Sequence, residues 1–128
     1  MKIKFSRNWL SSVKPNKQRK YRFNAPLHLK NHFLNVNLDK DLREKYSTRN
    51  IRVRKNDKVE ILRGDFKGKS GKITEVDVKK TRIYIENIGK KNMAGNYSQV
   101  AFQPSNLKIL ELDLSDKKRV EKLNSFSK

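Results

Sequence analysis

The chain reads as a small, mainly β domain: a basic barrel with a basic N-terminal extension holding short helices, and a short C-terminal helix. Three observations carry that reading. Residues 58–62, 72–78 and 81–86 alternate polar residues with Val, Ile and Tyr, the period-two pattern of half-buried antiparallel strands. Three of the five glycines fall within residues 64–71, between the first two of those stretches. Glycine accepts positive φ and close backbone approach, so this segment is a turn at the edge of a small sheet, carrying Lys67 and Lys69 outward. Finally, 34% of the 128 residues are hydrophobic and 35% are charged, which suffices for one modest core and not for two.

Residues 1–47 form the basic extension. The first acid in the chain is Asp39, while Lys2, Lys4, Arg7, Lys14, Lys17, Arg19, Lys20, Arg22 and Lys30 precede it, interleaved with Phe5, Trp9, Tyr21 and Phe23. A like-charge block can be a solvated, disordered arm. A one-signed run with aromatics also suits a polyanion, with cations on phosphates and rings or guanidinium planes on unpaired bases. Residues 1 to about 23 are expected to be extended or disordered alone and ordered on RNA. Asn24-Ala25-Pro26 opens a helix with Pro26 in its first turn, and Leu27, Leu29, Phe33, Leu34 and, at its end, Val36 supply the apolar face. A second short helix is expected from a cap at Asp39 to Tyr46, with Asp41 and Lys45 as an i, i+4 pair.

Residues 48–114 form the barrel. Ile51, Val53, Val59 and Ile61 alternate inward, with a turn at Asn56-Asp57. After the glycine turn come the strands around Lys79-Lys80. Residues 88–98 are polar, contain two glycines and read as a long loop with Lys90 and Lys91 at its root. Val100, Phe102, Leu107, Ile109 and Leu110 complete the barrel around Pro104-Ser105-Asn106. In residues 115–128, Ser115 is the expected cap of a helix from Asp116 to about Leu123, with Val120 and Leu123 on one face and a frayed end after it.

A formal charge of +19 and a pI near 10.3 imply self-repulsion unless a polyanion neutralises it, and nucleic acid is the natural partner. Cysteine is absent, so there is no disulfide framework or thiolate nucleophile. The first ten residues lack the continuous apolar core of a signal peptide, and no stretch approaches the ~20 apolar residues of a membrane span. A cytosolic location follows as the expectation. His28 and His32 stand at i and i+4, a metal-ligand spacing, but with no third ligand in view they are placed on a phosphate-facing side beside Lys30. Residues 64–70 read G-x-x-x-G-K-S; a phosphate-binding P-loop needs four residues between its glycines and a helix afterwards. Asn96-Tyr97-Ser98 matches a glycosylation acceptor without a secretory context. No catalytic, metal or cofactor constellation is expected.

The glycine turn and its flanks resemble the KOW motif of small SH3-like barrels that bind RNA, carried here by Val59, Gly64, Phe66-Lys67-Gly68 and Gly71-Lys72. More of the chain agrees: Asn24-Ala25-Pro26, Leu42-Arg43-Glu44-Lys45-Tyr46, Val53-Arg54-Lys55, Arg63-Gly64-Asp65-Phe66 and Pro104-Ser105-Asn106 resemble, in order, the universal KOW-domain protein of the large ribosomal subunit, in its archaeal and eukaryotic form. The resemblance spans residues 17–120 and departs at Gln103, where that family usually has histidine. It implies a non-enzymatic constituent of the large subunit that binds the 5′ region of its ribosomal RNA, acts early in assembly and lies near the nascent-chain tunnel exit. Its implied partners are that RNA, neighbouring ribosomal proteins and nascent-chain factors. The candidate RNA contacts are Lys14, Lys17, Arg19, Lys20, Arg22 and Lys30 in the extension; Arg52, Arg54, Lys55 and Arg63 around the first strands; Gly64, Lys67, Gly68, Lys69, Gly71 and Lys72 in the turn; and Lys79, Lys80, Arg82, Ser105 and Asn106 beyond it. A KOW-domain transcription elongation factor is the alternative, although such factors carry a separate domain ahead of the barrel.

Overall fold

A computed structural model describes residue 5 and residues 12–127. Of the cations and aromatics placed in the extension, Lys2, Lys4, Arg7 and Trp9 lie outside the described residues. The elements run α1 (Pro15–Asn24), α2 (Leu27–Lys30), a 3-10 turn (His32–Leu34), β1 (Asn35–Leu38), α3 (Lys40–Tyr46), β2 (Asn50–Arg52), β3 (Lys58–Ile61), β4 (Ser70–Asp77), β5 (Arg82–Lys91), β6 (Tyr97–Phe102), a 3-10 turn (Pro104–Asn106), β7 (Leu107–Glu111) and α4 (Lys117–Phe126).

The architecture is mainly β, in keeping with a small SH3-like fold. All seven strands join one sheet in the order β2-β1-β7-β3-β4-β5-β6, which stays open because β2 and β6 are its ends. Every neighbouring pair is antiparallel except β1 with β7, where Asn37 faces Lys108 and Leu38 faces Ile109. The sheet thus reaches back to residues 35–38, ahead of the boundary expected at residue 47. Val36 lies in β1 and not at a helix end, because the helical turn stops at Leu34 and the chain extends at Asn35. Alternation then does what period two requires: Val36 and Leu38 are buried, and Asn35 and Asn37 take the other face. Leu34, Val36, Leu38, Ile51, Val53, Val59, Ile61, Ile73, Ile83, Ile85, Leu107, Ile109 and Leu123 belong to a single core cluster.

Two longer segments differ from expectation. Residues 15–24 are helical, not extended. The run Lys17-Gln18-Arg19-Lys20 consists of good helix formers, and Pro15 starts the helix where its missing N–H is harmless. None of its residues is fully buried; it meets the domain through Tyr21, whose ring lies 5.1 Å from Phe5 and 6.3 Å from Phe33, and through Arg22, which lies over the Phe33 ring. Residues 88–98 are likewise not a loop. β5 and β6 continue as a paired ribbon in which Gly89 faces Gln99 and Lys91 faces Tyr97, closed by a turn where Gly95 N–H donates to Asn92. A bulge near Asn87, whose φ is +57°, resets the register and turns Ile88 into the core. Polarity along this stretch reflects an exposed two-stranded ribbon, since a ribbon with no sheet behind it needs no apolar face.

α4 is fastened by a buried ion pair. The Arg119 guanidinium meets the Asp57 carboxylate with both forks, at 2.6 and 2.7 Å, and also donates to the carbonyls of Asp113 and Arg52. Asp57 accepts two further bonds, from the backbone N–H groups of Arg54 and Asp113. A fully buried carboxylate is tolerable because four donor contacts surround it. The cap of α4 is Asp116, which accepts from Lys118 N–H, and not Ser115. Its depressed pKa has two main causes: first the hydrogen bond from Arg54, then that backbone N–H.

Candidate nucleic-acid interface

The glycine turn is held from inside by its neighbours. Gly68 N–H donates to the Ile61 carbonyl at 2.8 Å and Ile61 N–H to the Lys69 carbonyl at 2.9 Å, so the segment between them projects as a tight loop. Gly64 and Gly68 adopt φ of +99° and +84° with open space where a Cβ would stand. Gly71 is different: a Cβ there would lie 2.7 Å from Ile85 and 3.2 Å from the Glu86 carbonyl. Its smallness lets β4 pack against β5, which makes it a fold residue. Lys67 and Lys69 are exposed as expected. The Lys69 ammonium sits 5.3 Å above the Phe66 ring, and Lys90 lies 5.9 Å from the same ring while bonding Asp65. Phe66 packs edge-on against Phe102, so the lysine platform is anchored to the core cluster.

Leu62 N–H donates to the Asn106 carbonyl at 2.8 Å, placing the glycine turn beside the Pro104–Asn106 turn. From there a polar groove of about 410 Å³ opens between α1, β1 and β5, lined by Arg22, Phe33, Asn35, Asn37, Arg82, Ser105 and Gln103 among others. Arg22 is stacked 5.3 Å over Phe33. Lys30 Nζ donates to the Lys79 carbonyl at 3.1 Å, tying α2 to the β4–β5 turn that carries Lys79 and Lys80 and leads into the groove residues Thr81 and Arg82. Arg22, Arg82 and Ser105 thus line one groove, Asn106 ties its turn to the segment that carries Lys67, and Lys30 meets the turn that carries Lys79. No carboxylate lines the groove.

The remaining candidates fall elsewhere or do other work. Lys14, Lys17, Arg19 and Lys20 are exposed on or beside α1 and form no ion pair among the described residues. Arg63 and Lys72 are exposed near the glycine turn, Lys72 on β4. Arg52, Arg54 and Lys55 line a separate depression beside α4. Arg54 is bound to Asp116 there, and the Arg52 carbonyl serves Arg119. Sequence reading missed Phe33, Asn35, Asn37 and Gln103 as groove residues. The alternation Asn35-Val36-Asn37-Leu38 was the available signal for the two asparagines. His28 and His32 line a third depression with Asn31, Arg52, Lys122 and Phe126; no group of three metal-ligating side chains exists among the described residues.

Comparison with known proteins gives the surface its context. Residues 12–125 match the model of a family described as ribosomal proteins L26 of eukaryotes and their archaeal L24 counterparts. The chain is also 41% identical over 109 residues, 85% of its own length and 89% of the relative's, to the large ribosomal subunit protein uL24 of Pyrobaculum islandicum. With the mainly β fold, the glycine turn at residues 64–71 and a family match over nearly the whole chain, this protein belongs to the family of large-subunit ribosomal proteins that comprises eukaryotic L26 and archaeal L24.

Proposed function

We propose that the chain is a structural constituent of the large ribosomal subunit that binds large-subunit ribosomal RNA through the surface running from the glycine turn across the groove to the β4–β5 turn. Its chemistry is electrostatic and geometric, with no bond made or broken. One observation carries this reading: along that surface the cations Arg22, Arg82, Lys67 and Lys79 have no acidic partner among the described residues. Unneutralised cations on rigid elements fit closely spaced phosphates, which release counterions when they bind. Exposed Lys14, Lys17, Arg19 and Lys20 extend the same positive surface along α1. Membership of a ribosomal family supports association with RNA and neighbouring ribosomal proteins, and it gives no support to the elongation-factor reading. Action early in assembly, contact with the 5′ region of the RNA and a place near the tunnel exit, with its nascent-chain factors, belong to the same proposal. So does a cytoplasmic location on the ribosome. No helix among the described residues is long and apolar enough to cross a membrane.

The test is the salt dependence of binding to a large-subunit ribosomal RNA fragment. Neutralising about six to ten phosphates predicts a log–log slope near −5 to −9. A nearly flat response would remove the electrostatic mechanism.

A further inference from the structure

We propose that the groove beside the Pro104–Asn106 turn receives one unpaired nucleotide of the bound RNA, its base held by side-chain amides and its phosphate by arginine. The inference rests on the RNA-binding reading above and gives that surface a sequence-specific anchor.

The composition of the groove is what separates a base from a phosphate. A phosphate diester accepts hydrogen bonds and donates none at neutral pH, so a site for it alone needs only donors. This groove offers Asn35, Asn37 and Gln103, each with a carbonyl acceptor beside an NH2 donor. Their side chains make no hydrogen bond among the described residues, nor does that of Ser105. Paired donor and acceptor on one planar group match the edge of a nucleobase, as asparagine and glutamine match adenine. Arg82 and Arg22 bring the positive charge, and neither has a carboxylate partner among the described residues. At about 410 Å³ the space falls within the range of small-molecule sites, roughly 300–1,000 Å³.

The parts are also held in place before any ligand arrives. Asn35 and Asn37 project from the same face of β1, whose register is fixed by β2 on one side and β7 on the other. Gln103 caps the 3-10 turn in an extended conformation, next to buried Pro104. Arg22 rests over the Phe33 ring, which leaves its outward edge to hydrogen-bond and its outer plane to stack. Duplex RNA suits such a site poorly, because its Watson–Crick edges are paired, its major groove is deep and narrow, and its shallow minor groove is read mainly through shape and 2′-hydroxyls. An unstacked base in a loop or bulge can.

The experiment compares the full chain with Asn37→Ala/Gln103→Ala, which removes two amides and no charge. Three quantities are read: affinity for a large-subunit ribosomal RNA fragment, affinity for a plain RNA duplex, and chemical reactivity of base edges in the fragment. The expected result is a loss of about tenfold or more on the fragment, no change on the duplex, an unchanged salt slope, and one nucleotide whose base edge is shielded by the wild type and reactive with the variant. Gln103→Ala alone, at an exposed position outside the strands, repeats the test should the double variant melt early. If the wild type binds the fragment and the variants bind it equally well with no base exposed, the proposal is wrong and the groove is empty or filled by a protein neighbour. Equal losses on fragment and duplex would also overturn it, by making the amides general backbone contacts. A wild type that ignores the fragment would remove the RNA-binding reading itself.

Discussion

Around the groove, Arg22 and Arg82 have no carboxylate partner among the described residues, whereas beside α4 Arg119 and Arg54 are each joined to an aspartate. The residue type is the same and the physical role is opposite. Arg119 is 4% exposed and its charge is matched by Asp57 on the spot, so it serves cohesion. Arg22 is exposed, rests on an aromatic ring and makes no ion pair among the described residues, so its charge remains for another molecule. A third site falls between these cases: Lys108 bridges Asp39 and Glu60 while partly shielded, and its pKa is raised chiefly by the hydrogen bond to Glu60. In a chain with 32 basic residues and 13 acidic ones, where the few acids go decides which cations are left for a partner.

The contrast is most sharply broken at Arg119. Arg119→Ala leaves Asp57 buried without its counter-ion, and removing one member of a buried pair is expected to cost about 3–5 kcal/mol. Urea unfolding of the purified chain measures this; a change below about 1 kcal/mol would mean that the pair contributes nothing to holding α4. Next in size is the effect on binding of Arg22→Ala/Arg82→Ala. The affinity for ribosomal RNA should fall at moderate salt and the slope should become shallower by about one for each arginine, while the melting temperature stays within a few degrees. A stability loss as large as that of Arg119→Ala would erase the distinction between the two faces.

Gly71→Ala sharpens the comparison within the glycine turn. With Ile85 at 2.7 Å and a backbone carbonyl at 3.2 Å from the new Cβ, overpacking should destabilise by about 1–3 kcal/mol, and the folded fraction should still bind RNA. Gly68→Ala meets no atom but must hold φ at +84°, a strain of about 1–2 kcal/mol. Should Gly71→Ala prove harmless in thermal melts, the close approach of β4 to β5 would not be a constraint.

The smallest effect belongs to Arg54. Its pair with Asp116 is half exposed, so Arg54→Ala should change stability by less than about 1 kcal/mol. The same pair has a pH signature. Asp116 is held below the ordinary aspartate range in the folded chain, chiefly by Arg54. Its contribution is therefore present above the unfolded value near pH 4 and is lost as pH falls through the folded value. In Asp116→Asn the decline of stability on acidification should be shallower, as followed by circular dichroism; an identical acid limb would show that the carboxylate is not coupled to folding. Asp39 and Asp113, also depressed mainly by backbone N–H donors, remain in that variant and keep part of the slope.

Alternation and glycine spacing, by themselves, determined most of the sheet. Ile51, Val53, Val59, Ile61, Ile73, Ile83 and Ile85 are buried where period two places them, and the turn at residues 64–71 has the backbone its glycines permit. Charge pointed to a polyanion as the partner, because an excess of this size is a property of composition and does not depend on the fold. Three things were decided only in three dimensions. The helix at Pro15–Asn24 packs through Tyr21 and Arg22 onto Phe5 and Phe33; isolated short helices are marginal in water, so local propensity alone left that segment open. The ribbon beyond Ile88 depends on cross-strand pairing, which leaves no apolar stripe on an exposed ribbon. The assignment of cations to fold or partner depends on which acid lies across space. Asp57 and Arg119 are 62 residues apart and meet at 2.6 Å, while Arg22 and Arg82 come together around Asn35, Asn37 and Gln103 with no acid between them. Composition fixes how much charge is left over, and only packing can say where, because ion pairing is set by distances between side chains that the order of residues does not contain.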